Sequence, residues 1–557
     1  MNHSRPSRGT LVPALLAFGL ASSIHAQTVP PEAGTILRQS TRPPALPEAP
    51  TSVLNLPPPA QQASQSNTPI PITSIRIEGN TLLPSSELDP LVRDLQDRTV
   101  TLGELQQAAQ RIADRYHAQG YPLANAYIPA QTLRDGVVRL QVVEPRYDRI
   151  ALDGHSRLAP AQAMRTLGVE AGQPVAQQAL DRGLLLLNRT PGVRVAGTLV
   201  PGAQPATSSL QLSLSDGPLL HTQVHADNFG SDYTGRVRSG MDVTLDNPFG
   251  HGAQAALTTM TTTGGLLRTG GLSLTSPDLW HGLRAGAYGS RTLYRLGGAF
   301  AALEQRGRVN QGGVDLSYPL VLEPGRLLDI RLDALRNGFI QRSTKVGSDS
   351  RSHIRLARLS LDGAWADALG GLTSGGISIS RGVLDMDSTD ARVADIAGPH
   401  AAGTFWVGQL RVQRDQPLPR QWLLRLIFNG QLASHTLDGS EKFYLGGPYG
   451  VMSGPVNDAG GEAGGLLDAR LMHALPWIHT GRLQGALLLQ YGKVWQRRTV
   501  AVEPSSQHLD GAGLGLDYQY KQSVNASLAY VHPIGSSHAA GNSNHNGEWW
   551  ARLTIDL

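Results

Sequence analysis

The sequence predicts an exported chain that ends in a transmembrane antiparallel β-barrel, preceded by a pair of small βααββ modules. Three observations carry this. A positively charged start followed by a short apolar run marks the N-terminus as an export signal. Two consecutive stretches, 72–145 and 146–216, repeat one order of strand, helix, helix, strand, strand. From Gly217 to Leu557 the chain is a series of alternating segments parted by Gly, Asp, Asn and Pro, several with a charge on every second residue.

The 557 residues include 63 glycines and no cysteine, and their formal net charge is +4. Without cysteine there is no disulfide framework, no thiolate metal site and no lipid-bearing thiol. Lys and Arg are scattered, so no nucleic-acid-binding surface is indicated. No cofactor motif stands out, and the 17 histidines are dispersed; His225, His435 and His473 read as lumen or loop residues. Arg5 and Arg8 precede the apolar run 11–21, and Ile24-His25-Ala26 offers a cleavage site, which makes 1–26 a signal peptide. No stretch after residue 30 approaches the roughly 18 apolar residues of a membrane-spanning helix. An exported chain without such a span is either soluble or a membrane β-barrel.

In order, 27–40 holds a short amphipathic helix over 31–39, with Pro31 at its start and Ile36 and Leu37 on one side. Residues 41–71 are rich in Pro, Ser, Gln and Ala and form an extended linker. The first module has a strand from Ile72, helices over 82–95 and 102–119, and strands over 125–132 and 137–144 joined at Arg134-Asp135-Gly136. The second has a strand over 147–152, helices over 159–167 and 175–188, and strands over 193–200 and 208–215. Each module leaves a sheet edge open to an added strand.

In the C-terminal part, Leu328, Ile330 and Leu332 alternate with Asp329, Arg331 and Asp333, and Trp549, Ala551 and Leu553 with Trp550, Arg552 and Thr554. A charge on every second residue suits a membrane only if that face lines a polar lumen. One stretch breaks the pattern. Residues 441–464 hold seven glycines and two prolines, with Phe443, Tyr444, Leu445, Tyr449, Val451 and Met452 among them. So many large apolar groups imply a loop folded back against a surface that buries it.

These residues carry a resemblance. Two βααββ units after a signal peptide look like POTRA domains, and Gly120-Tyr121-Pro122, Tyr127-Ile128-Pro129-Ala130-Gln131, Asp135-Gly136 and Val143-Glu144 resemble the first POTRA of two-partner secretion transporters of the haemolysin-activator type. So do Asp227-Asn228-Phe229-Gly230, Thr234-Gly235-Arg236, Asp246-Asn247-Pro248-Phe249-Gly250, the run Gly313 to Leu320, and Phe443 to Val451. The resemblance implies a barrel of about 16 strands, an N-terminal helix that plugs the pore, and a sixth extracellular loop folded into the lumen. That loop is Leu445, Gly446, Gly447, Pro448, Tyr449, Gly450, Val451 and Met452, facing a wall of Leu488, Gln490 and Gly492.

The family's loop Arg and strand Asp are expected to pair; here Met452 and Gln490 stand in those places, and Leu488 and Gly454 replace two aromatics. Losing one member of a buried ion pair costs about 3–5 kcal/mol, whereas losing both can be near neutral. The expectation is a loop that still enters the lumen, held by apolar packing of Tyr449 and Met452 and by a Gln490 hydrogen bond.

The implied function is ATP-independent secretion of an unfolded exoprotein across the outer membrane. The other implied partners are outer-membrane lipid and, during biogenesis, periplasmic chaperones and the barrel-assembly machinery. Docking candidates in the first module are the strand residues Ala126, Tyr127, Ile128 and Ala130 and the facing helix positions Leu105, Ala109 and Ile112, which equally suit that module's core. No Walker motif, nucleophile elbow or His-Glu-x-x-His occurs, so no enzyme is expected. The rivals are an outer-membrane assembly factor, a passive porin and a barrel-borne lipase.

Overall fold

The computed structural model describes residues 30–41, 43–55, 69–133, 135–476, 481–497, 505–521, 523–535 and 546–557. The expected signal peptide lies outside them. Sixteen strands of the described residues close one antiparallel barrel, each bonded to its sequence neighbour and Leu220–Asp227 closing on Glu548–Asp556. Closure is what a bilayer demands, because lipid offers no partner to a free backbone group. The alternation behaves as read. Leu332, Leu426, Leu489 and Leu553 point outward and are exposed, while Arg331 bridges Asp315 and Asp333, and Arg425 bridges Asp415, inside. His473 departs from its reading and lies on the outer face, stacked on Trp422. One short helix, Thr389–Ala397, stands in a connection between barrel strands.

The modules keep the expected order with local corrections. The segment expected as a helix over 82–95 is one turn, Ser85–Leu88, and two 3-10 turns, Asp89–Leu91 and Arg93–Leu95. Pro90 removes a helical donor and its ring clashes with the preceding turn. The helix Leu102–Ala118 is sound, with a reciprocal capping box between Thr101 and Glu104. The strand expected over 125–132 stops at Tyr127, before Pro129; beyond it the Gln131 amide takes both backbone groups of Arg139 at 2.9 Å. The linker is not featureless, since Pro69–Ile72 pairs with Arg98–Thr101 and Leu54–Asn55 joins the second module's sheet.

Glu144 ties the first module together. Its carboxylate accepts from the Thr81 amide and the Leu82 amide at 2.8 Å, from the Thr81 hydroxyl, and from Tyr116 at 2.7 Å. Burial alone would raise the pKa of this acid, but the hydrogen bonds outweigh it and hold it below the ordinary value. Burial, and then this bond to Glu144, raise the Tyr116 phenol.

The second module docks on the periplasmic turns of the barrel. Arg189 makes a bidentate pair with Asp329 at 2.8 and 3.0 Å, Arg182 donates to the Pro319 carbonyl at 2.9 Å, and Leu185 and Leu186 pack on Leu322.

A folded pKa below the unfolded one gives stability that is present above the unfolded value and lost as pH falls through the folded one. Hydrogen exchange on the intact chain is therefore expected to show the Thr81 and Leu82 amides losing protection as pH drops below about 4.5. Glu144→Gln should abolish that pH dependence; unchanged pH-sensitive protection in the variant would count against the tie.

Candidate functional site: a lumen filled by the chain's own segments

Two segments occupy the barrel interior. The first is the helix Ala33–Ser40, close to the expected 31–39. Ile36 and Leu37 are buried against Leu267, Tyr294, Val309, Phe339 and Phe405, which line the extracellular half of the wall. An eight-residue helix does not persist alone in water, so this packing makes it. Its C-terminal end is held by Arg238, which donates to the Gln39 carbonyl at 3.0 Å and pairs with Asp227 at 2.7 and 3.0 Å. A cation suits that end because the helix dipole is negative there. At the other end the Gln341 side chain accepts from the Ala33 amide at 3.1 Å.

The second segment is the loop between the strands Trp422–Ala433 and Ala463–Leu475, the sixth extracellular connection. It folds inward as expected. Within it, Phe443–Tyr444 pairs with Gly460–Gly461. The Val451 amide donates to the Leu445 carbonyl at 2.7 Å, the Gly450 amide to Gly447 at 3.0 Å, and the Gly447 amide to Gly454 at 3.1 Å. Gly447 is left-handed, with φ +107°, beside the half-buried Pro448. Gly446 also lies close-packed, its amide donating to Asp458 at 3.0 Å. Leu445 and Val451 are fully buried. Gly492 makes room for them, since a Cβ there would stand 2.6 Å from Leu445 Cδ2.

The tip is clasped by its backbone. The Met452 amide donates to Gln490 Oε1 at 2.8 Å, and Trp550 Nε1 donates to the Met452 carbonyl at 2.7 Å. The Gln490 amide donates in turn to Asp468 at 2.9 Å, its partner in strand register, and Arg470 neutralises Asp468. The Met452 side chain lies in an apolar cluster with Phe229, Leu488, Val531 and Trp550. The expected Gln490 bond and Met452 packing are both present. Tyr449 needs correction: it remains 42 % exposed, touching Phe229 edge-on and accepting from Arg552 at 3.3 Å.

Sequence reasoning missed Asp468 and the role of Trp550. Asp468 had a signal, since it alternates with Arg470 on a strand whose other face is apolar. Which inward residue of the next strand meets it depends on register.

The two segments touch each other. Thr35 Oγ1 is 3.2 Å from Tyr444 OH, and Asn457 donates to the Thr35 carbonyl at 2.9 Å. After the helix the chain descends the lumen, where Arg411 donates to the Pro44 carbonyl at 2.6 Å. It leaves at the periplasmic turn, where the Gly325 amide donates to the Pro50 carbonyl at 2.7 Å.

The first-module candidates divide. Leu105, Ala109 and Ile112 are buried in that module's core with Ala126, so these four offer no docking surface. Helical spacing put them on one face, and the sheet covers that face. Tyr127 and Ala130 are exposed and Ile128 is half-buried.

Fold and lumen together define an outer-membrane β-barrel transporter with periplasmic POTRA units. Residues 206–518 match the family described as "Haemolysin secretion/activation protein ShlB/FhaC/HecB", and residues 70–145 match "POTRA domain, ShlB-type". The chain belongs to the ShlB/FhaC/HecB family. It is 24% identical over 547 residues to a heme/hemopexin transporter protein HuxB of Haemophilus influenzae, covering 96% of each chain. It is 27% identical over 193 residues to the hemolysin transporter protein ShlB of Serratia marcescens, covering 35% of this chain and 34% of that one. In structure it is similar to CdiB from Escherichia coli, with a TM-score of 0.72, 19% identity, and coverage of 90% of this chain and 93% of that one.

The clasp predicts how the tip responds to charge. Met452→Arg alone places an uncompensated cation in the apolar cluster, a cost of about 3–5 kcal/mol, and export is expected to fall at least tenfold. Met452→Arg with Gln490→Asp should recover part of it. Equal export by the single and double variants, at equal barrel yield, would show that the two positions do not act together.

Proposed function

We propose that this transporter moves one dedicated exoprotein outward in extended form, after its POTRA units hold that protein unfolded in the periplasm. The observation that carries the reading is the linker. Between the helix end at Ser40 and Pro50 the described residues run through the lumen as an extended polypeptide. About ten residues at roughly 3 Å each match the roughly 30 Å of a bilayer core. The pore thus already accommodates one extended strand of protein, with charged side chains along its wall.

Transport needs the helix and the loop to yield. The helix is suited to leaving, because it is short, is held by side-chain contacts, and makes no ladder with the barrel. The loop is held by a backbone clasp and is the more permanent of the two. The chain has no Walker motif, so the drive is folding of the exoprotein outside. Passage through the periplasm implies chaperones for both the exoprotein and the unfolded barrel. Relatives are named as heme/hemopexin and hemolysin transporters, and the exoprotein here is taken to be of the same large, exported kind.

Two measurements test this. Deleting the chain should abolish export of a large, repetitive exported protein encoded beside it; unchanged export would sink the reading. The plug is tested by Thr35→Cys with Gly439→Cys, since a Cβ at Gly439 would stand 2.6 Å from Thr35 Oγ1 and the chain has no other cysteine. The oxidised pair is expected to stop export and reductant to restore it. Full export with the disulfide formed would show that the helix need not move.

A further inference from the structure

The outward face of the barrel carries a charge pattern that closure of the sheet does not call for. Along Arg326–Ser343 the outward residues run Ile330, Leu332 and Ala334, and then comes Arg336. Along the neighbouring strand Ser348–Ala366 they run Leu361, Leu359 and Ala357, and then comes Arg355. Arg291 and Arg381 end the outward apolar runs of Arg284–Arg295 and Leu372–Met386 in the same way. These arginines are exposed.

Their level follows from strand geometry. The Trp365 ring, with the Arg326 guanidinium 4.9 Å from its centre, marks the periplasmic edge of the apolar face. Arg355 lies ten residues away on the same strand. At roughly 3.3 Å per residue and a tilt of about 40°, that places it about 25 Å above Trp365, the height of a barrel's apolar band. The second aromatic marker is Trp406, whose ring centre lies 5.9 Å from the Arg381 guanidinium. The arginines therefore form a belt at the headgroups of the outer leaflet.

Within this belt like charges meet. Arg336 stands directly opposite Arg355. Farther toward the cell surface, Arg306 stands opposite both Arg295 and Arg342. Side chains so placed are about 5 Å apart, and like charges at that spacing destabilise a sheet. Carboxylates relieve them only in part. Arg355 reaches Asp385 at 2.9 Å, an acid it shares with His353, and Arg342 reaches Asp349 at 3.1 Å. Arg336, Arg295 and Arg306 have no carboxylate partner among the described residues. The pattern is also one-sided. It covers the adjacent strands from Leu267–Thr275 to Leu372–Met386, and the other ten strands turn no arginine outward in their extracellular halves among the described residues.

We propose that this belt binds the phosphate groups of a phosphorylated glycolipid of the outer leaflet, with the opposed pair Arg336 and Arg355 at its centre. A phosphate monoester carries close to two charges and three acceptor oxygens, so one group satisfies two guanidinium forks. The repulsion between the two arginines then becomes a site for a dianion. Leu332 and Leu359, exposed just below on the same two strands, give the acyl chains of the same molecule their apolar surface, which favours a lipid over a soluble anion. The proposal rests on placement of the barrel in the outer membrane and not on the transport reading.

The test uses the full chain, delipidated in non-ionic detergent. The probes are a bis-phosphorylated lipid A, its dephosphorylated form, and inorganic phosphate. Losing two charge-assisted contacts should weaken binding of the phosphorylated lipid by at least about tenfold in Arg336→Gln with Arg355→Gln. The dephosphorylated form should bind the wild type and this variant alike. Lys493→Gln, which removes an outward cation beside Trp495 on the opposite side, should bind as the wild type does. Without lipid the double variant should unfold at a temperature no lower than the wild type, because the like-charge contact is gone; the phosphorylated lipid should then raise the unfolding temperature of the wild type only. The single Arg336→Gln, which leaves Arg355 on Asp385, is read beside it and should lose affinity in the same direction. Equal affinity of wild type and both Arg336 variants, an equal loss in Lys493→Gln, or no preference for the phosphorylated lipid overturns the proposal. Inorganic phosphate binding as tightly as the lipid overturns the assignment to a lipid.

Discussion

Every backbone group in a bilayer must find its partner within the protein, and the whole molecule follows from that constraint. Sixteen strands satisfy it by closing on themselves. A barrel of that size is too wide for its own inward side chains to fill. The consequence is a lumen with room for other parts of the chain. The helix with its descending linker, and the sixth loop, are those parts, and the two arrive from distant places in the sequence.

The occupants are held by different means. The helix is held by side chains at the extracellular half, where the wall is apolar, and by Arg238 at its C-terminal end. Burying Ile36 and Leu37 is worth about 1.5–3 kcal/mol each, enough to seat the helix and little enough to release it. The loop tip is held by its own amide and carbonyl, through Gln490 and Trp550. Two neutral hydrogen bonds of this kind add about 1 kcal/mol each without a charge on Met452 itself. The charge remains on the wall, where Asp468 and Arg470 neutralise one another one strand away. The wall therefore keeps a carboxylate near the tip even though position 490 carries none.

The same linker connects lumen and periplasm. It takes a backbone bond from the Gly325 turn and then lends a strand to the second POTRA sheet. The second POTRA unit is itself fixed to the barrel by Arg182 and Arg189. Pore occupancy and the state of a periplasmic sheet edge are thus joined by one short covalent tether.

The sequence by itself determined the elements whose physics is local. Alternation identified the strands and sorted lumen from lipid, so Arg331 and Leu332 fall on the faces their spacing gave them. Repetition of one strand and helix order identified the two POTRA units, and glycine density with large apolar residues marked the inward loop. Motifs quoted from these stretches were enough to place the family. Local reasoning failed where proline acts against propensity, as at Pro90 in the segment expected to be helical. It also could not separate core from docking surface for Leu105, Ala109 and Ile112, because both give the same helical face. Only the tertiary structure decided what meets across the lumen. The bond from Met452 to Gln490, the partnership of Gln490 with Asp468, and the borrowed strand Leu54–Asn55 all join residues distant in sequence. Their contacts depend on strand register and on where a flexible linker comes to rest, and neither quantity is written in periodicity or composition.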